Sequence, residues 1–218
     1  MCFSTEASFI GGAVIIAIGV ATVRKVHKPS QLVFACIPLF FGFQQIAEGF
    51  VWLSLQNPLY YGVLMPATYT FLIMAEVFWP FMVPLAVLLM EKNKKRLKIL
   101  WVLFGMGVSV SLYFIFCLLS YNVTPEINGF HIEYVEGYPK SIKLVVFGVY
   151  LIASIVPLFV STIKRIYLLG ILMALSCMLT MIFFTQFLTS VWCFFGALIS
   201  IVILWILRDA RKKYILEK

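Results

Sequence analysis

The chain has 218 residues, of which 63% are hydrophobic and 12% charged, with a net charge of +8 and a mean hydropathy of +1.03. A soluble domain is about half apolar and about a quarter charged, so this chain cannot dress a water-facing surface. A soluble enzyme, a disordered tail and a compact nucleic-acid binder are excluded, and the positive charge must sit in the connections between membrane-embedded segments.

Apolar runs long enough to cross a bilayer, about 18 residues or more, recur seven times. The first covers 7–23 and stops at Arg24, Lys25, His27 and Lys28; the second covers about 32–53. The third starts after Pro66 and ends at Met90, before the basic run 91–98. The fourth covers 99–119, the fifth 142–161, the sixth 166–185 and the seventh 191–207. The long connection 120–141 carries Pro125, Gly129, Gly137 and Pro139, with an aromatic and β-branched run at 130–134 between them. That pattern predicts a short hairpin capping the bundle. The fold class is all-α: one polytopic domain, 1–218, built as a seven-helix transmembrane bundle.

Lys and Arg in the connections set the expected orientation. Fifteen of the 17 fall on one side, and only Lys140 and Lys143 on the other. Basic residues stay cytoplasmic, so the N-terminus is expected outside and the C-terminus inside, with the basic rim attracting anionic lipid head groups. A cleaved signal peptide needs positive charge before its apolar core. Here the cluster follows the core, so a retained first helix is expected.

Ionisable groups inside a span are costly and mark cavities or partners. Two carboxylates qualify, Glu48 and Glu76. Gln44, Glu48 and Trp52 recur every fourth residue on one helix face, with Gln45 beside them. Lipid cannot satisfy such a stripe, so it must look into the bundle. Glu76 falls about 14 Å from the outer end of the third span at the helical rise. Pro80 follows four residues later and removes the N–H that would bond the Glu76 carbonyl. A carboxylate and a freed oxygen in one turn suit a cation, a proton or a ligand hydroxyl; helix bending with a protonated, hydrogen-bonded Glu76 is the plainer reading.

None of the five cysteines forms a C-x-x-C pair. Cys2 and Cys193 fall at the outer ends of the first and last spans. They can form a disulfide in an oxidising compartment, serve as soft metal ligands, or pack as small apolar thiols. His131, two residues from Glu133 in the strand-like run, is a candidate ligand or acid–base group over the outer mouth. Cys2, Glu48, His131 and Cys193 therefore form a candidate metal set. Phosphate-binding, zinc-protease, serine-hydrolase and dinucleotide motifs are absent. The seventh span has no lysine for a retinal Schiff base.

Three stretches carry a resemblance: 1–4 (MCFS) with Ala7-Ser8-Phe9; Gln44-Gln45, Glu48-Gly49 and Trp52; and 191–195 (VWCFF). Over its whole length the chain resembles a family of uncharacterised bacterial multi-pass membrane proteins that begin MCFS. The resemblance implies a bacterial inner-membrane setting and no particular activity. The residues themselves support binding or transport of a small ligand or cation at an outward-facing pocket lined by Gln44, Gln45, Glu48, Trp52 and Glu76, with His131 above it. The alternative is a membrane-embedded metal- or thiol-dependent enzyme acting on a lipid-like substrate at the outer face.

Overall fold

The computed structural model describes residues 4–216. Helices α1 (Thr5–Val23), α2 (Leu32–Gln56), α3 (Tyr61–Leu72), α4 (Trp79–Met90), α5 (Lys94–Ser120), α6 (Lys140–Val160), α7 (Ile166–Phe183) and α8 (Leu188–Leu216) follow in chain order. A π-helical turn, Ile73–Phe78, joins α3 to α4, and strands β1 (Val123–Asn128) and β2 (His131–Glu136) form an antiparallel hairpin between α5 and α6. Joining α3 and α4 gives seven helices long and apolar enough to cross a membrane. Seven such helices fit a multi-pass membrane protein, as the hydropathy predicts.

The third span differs most from the sequence expectation. It starts at Pro58 and contains Pro66 within α3. Glu76 therefore lies near the middle of the 33-residue segment Pro58–Met90, deeper than expected.

Neighbouring helices approach closely where small residues let their backbones meet. Between α1 and α2, a Cβ on Gly12 would stand 3.1 Å from the Gly42 carbonyl oxygen, and one on Gly42 2.9 Å from the Ile16 nitrogen. Thr5 donates to Gln56 at 2.9 Å where the two helices share an end. Between α4 and α5, Gly107 lies against the Pro80 carbonyl, the oxygen that Pro84 leaves without an i+4 donor. Gly196 on α8 accepts the Phe41 ring. Gly105 on α5, by contrast, faces open space. Helices α1 and α8 touch, as a closed bundle requires.

At the end away from the hairpin, Glu91 ties two connections together. Its carboxylate accepts from the backbone N–H groups of Lys92 (2.8 Å), Asn93 (2.9 Å) and Thr162 (2.7 Å) and from the Thr162 hydroxyl (2.8 Å). Arg96 donates to the Val160 carbonyl at 2.7 Å beside it. Burial pushes the Glu91 carboxyl up, but these donors outweigh it and hold the group below its ordinary value. A lowered carboxyl stabilises the fold above its ordinary titration range, and that contribution fades as pH falls through the lowered value. Glu91→Gln is expected to cost about 1–3 kcal/mol at neutral pH. In thermal unfolding of the detergent-solubilised protein, the gap between wild type and variant should narrow in acid. A gap that is constant with pH contradicts the clamp.

Candidate functional site

The polar stripe of α2 faces inward, and each member has its own neighbours. Gln44, Gln45 and Glu48 are fully buried. The Gln44 amide uses both its ends: Nε2 donates to Cys193 Sγ at 2.9 Å, and Oε1 accepts from Trp79 Nε1 at 2.8 Å. Gln45 Nε2 donates to Glu48 Oε2 at 3.3 Å, and the Ser190 hydroxyl donates to Glu48 Oε1. Trp52 turns away from this network and packs with Leu64, Ala67 and Ile132. Gln44 thus pins α2 to α4 and α8 at once. Gln44→Leu leaves the buried Trp79 N–H without its acceptor and is expected to cost about 1–3 kcal/mol. Adding Trp79→Phe should make the loss less than additive in a double-mutant cycle of unfolding; strict additivity contradicts the coupling.

Glu76 occupies the π turn. Such turns leave main-chain carbonyls outside the regular ladder. Two of them take side-chain hydroxyls: Tyr150 donates to the Ala75 oxygen at 2.7 Å, and Ser111 to the Val77 oxygen at 2.6 Å. The sequence pointed to the Glu76 carbonyl as the freed acceptor. The oxygens on either side of it are the ones held by other helices, because the π turn shifts the ladder. The Glu76 carboxyl accepts from the Tyr138 hydroxyl at 3.0 Å. Glu136, at the end of β2, brings a second carboxyl within hydrogen-bonding range of Glu76. Lys143 pairs with Glu136 at 3.3 Å. Burial, together with the two carboxyls, pushes the Tyr138 phenol well above its ordinary range, so it remains a donor at physiological pH.

These groups border a cavity of about 490 Å³. The π turn and α5 supply Glu76, Tyr113 and Phe114; the hairpin and its exit supply Ile132, Tyr134, Glu136 and Tyr138. Helix α6 adds Lys143, Phe147 and Tyr150, and the α7–α8 connection and α8 add Phe187, Ser190, Trp192 and Cys193. The wall is rich in aromatic rings and carries two carboxyl groups, Glu76 and Glu136, and one amine, Lys143. Glu48 and Gln44 stand behind it and reach it through Ser190 and Cys193.

The structure brings Glu76 to the cavity and keeps Gln44, Gln45, Glu48 and Trp52 behind or beside its wall. His131 is not among the lining residues. Strand alternation turns Ile132, Tyr134 and Glu136 to the cavity and puts His131 on the opposite face. Its ring lies 5.3 Å from that of Phe184 and 4.6 Å from that of Phe187, and burial pushes its imidazole below the ordinary value, favouring the neutral form. Glu133 shares that face and accepts from Asn128 at 2.9 Å. Cys2 lies outside the described residues, so the candidate pairing or shared metal with Cys193 does too. The described cysteines are free thiols, and among the described residues no three His, Cys, Asp or Glu side chains are grouped as metal ligands. Sequence reasoning missed Glu136, Tyr138, Tyr150 and Ser190. Only the alternation Ile132, Tyr134, Glu136 hinted that one hairpin face points inward.

No curated protein and no solved structure matches this chain. A family model described as "Family of unknown function (DUF6629)" matches residues 1–216. In keeping with the resemblance carried by its MCFS start and its Gln44–Trp52 and 191–195 stretches, the chain belongs to this family of unknown function.

Proposed function

We propose that this protein sits in a bacterial inner membrane, hairpin outward, and binds a small organic cation in the cavity beneath the hairpin, with Glu76 as counter-ion. The orientation rests on charge: of the 17 basic residues in the sequence, 15 fall in 24–28, 92–98, 164–165 and 208–218, and only Lys140 and Lys143 flank the hairpin. The single observation that supports the ligand class is the charge set in the cavity. Two carboxyls, Glu76 and Glu136, face one ammonium, Lys143, and that ammonium is already paired with Glu136. Glu76 already has the Tyr138 hydroxyl and Glu136 beside it, and the cavity leaves room for a cation against both carboxyls.

The aromatic wall narrows the class. A hard metal ion is best served by six or more oxygens. An ammonium with alkyl substituents is served by ring faces and one or two carboxylates. Thiol chemistry finds less support: the partner within hydrogen-bonding distance of Cys193 is the Gln44 amide N–H, a donor that takes no proton.

Calorimetric titration of the protein in lipid nanodiscs tests the reading. Butyltrimethylammonium is expected to bind, and hexanoate and hexan-1-ol, of similar size, to bind at least about tenfold more weakly, the equivalent of about 1.4 kcal/mol. Equal affinity for the three sinks the cation reading.

A further inference from the structure

A second, smaller cavity of about 60 Å³ lies deeper in the bundle. Its walls include Phe34, Phe41, Trp79, Val83, Leu169 and Ile203, drawn from α2, α4, α7 and α8. Tyr150, Trp192 and Cys193 line both this cavity and the larger one, so these three side chains form the partition between them. The partition turns its polar atoms elsewhere. The Tyr150 hydroxyl goes to the Ala75 carbonyl at 2.7 Å, the Trp192 Nε1 to the Ser176 hydroxyl at 3.2 Å, and Cys193 Sγ receives the Gln44 amide at 2.9 Å. Ring faces and carbon edges are left toward the two spaces. The surface that the partition turns to the inner space is therefore mainly apolar, with Ser154 the hydroxyl residue beside it.

Resting on the cation reading above, we propose that the ligand is an amphiphile. Its ammonium head sits by Glu76, and an apolar tail passes Tyr150 and Trp192 into the inner cavity. A water-sized sphere occupies about 10–15 Å³ on this measure, so the inner space takes a tail end of about four to six carbon atoms. Burying hydrocarbon against so apolar a wall is favourable. The two cavities thus divide the work: charge and aromatic faces select the head, and the inner space selects tail length. Specificity for length lies with the residues at the inner wall, Val83 and Ser154 among them, which touch no head-group charge.

The test is the series of alkyltrimethylammonium ions from ethyl to octyl, titrated into the protein in nanodiscs, with Glu76→Gln as the background for partitioning into lipid. Affinity should rise about fourfold per added methylene through the longer members. Ser154→Leu and Val83→Phe fill the inner cavity from two different helices, so one can stand in if the other fails to fold. Each should end the rise early and leave the affinity for the ethyl member unchanged. If short members bind in a Glu76-dependent way but the fillers leave the whole series unaltered, the tail site is overturned and the head site stands. If no member binds above background, the cation reading fails, and the tail site with it.

Discussion

Glu76→Gln is expected to weaken butyltrimethylammonium binding by about 30-fold or more. The cause is loss of the one carboxylate in the cavity that Lys143 does not pair. Truncating one member of a buried charge pair costs about 2–5 kcal/mol, and each 1.4 kcal/mol or so is tenfold. Two further variants separate charge from shape. Lys143→Gln removes the competing ammonium and should strengthen binding. The gain is a few-fold at most, because the Lys143 side chain is 66% exposed and water screens it. Glu48→Gln should leave affinity within about twofold, because Glu48 faces Gln45 and Ser190 and not the cavity. Nanodisc titrations of the three variants give the answer together. If Glu48→Gln weakens binding as much as Glu76→Gln, the site takes in α2 as well as Glu76, as the sequence expectation had it.

The second large effect concerns the fold that carries Glu76. Gly107→Ala is expected to destabilise the protein by about 3 kcal/mol or more. A Cβ there would collide with the Pro80 carbonyl, standing 2.7 Å from its carbon and 3.2 Å from the Phe81 Cα. These are backbone atoms with no rotamer to change, so α5 itself must move. Overpacking that forces backbone shifts costs about 1–3 kcal/mol and occasionally more. The movement would also pull Ser111 from the Val77 oxygen, loosening the π turn on both counts. Gly105→Ala is the internal control, since open space surrounds it. Thermal unfolding in detergent should show a large drop for Gly107→Ala and almost none for Gly105→Ala. Equal behaviour of the two contradicts the packing described.

Part of this site was legible in the sequence. The seven spans follow from hydropathy alone, because nothing but a bilayer can solvate such runs. The inward turn of Gln44, Gln45 and Glu48 follows from their spacing, because lipid offers no hydrogen bonds. Glu76 stood out as a carboxylate one turn before Pro80. Its surroundings did not. Glu136 and Tyr138 lie in a connection whose composition reads as solvated, and their approach to Glu76 spans some 60 positions of chain. The π turn has no sequence signature beyond Pro80. His131 attracted a functional reading as a lone histidine near a carboxylate, yet strand parity turns it from the cavity. The clamp at Glu91 was hidden inside a run of lysines, where a single carboxylate looks like one more solvated charge.

The central claim is that the ligand sits between the hairpin and the π turn, and photolabelling tests it most directly. A trimethylammonium carrying a diazirine on its alkyl chain, irradiated with the protein in nanodiscs, should mark residues within 132–150 and 185–193. Excess butyltrimethylammonium and Glu76→Gln should each remove that labelling. Labels confined to lipid-facing positions such as Trp101, Leu112 or Phe183, each more than half exposed, and unaffected by competitor would contradict the claim.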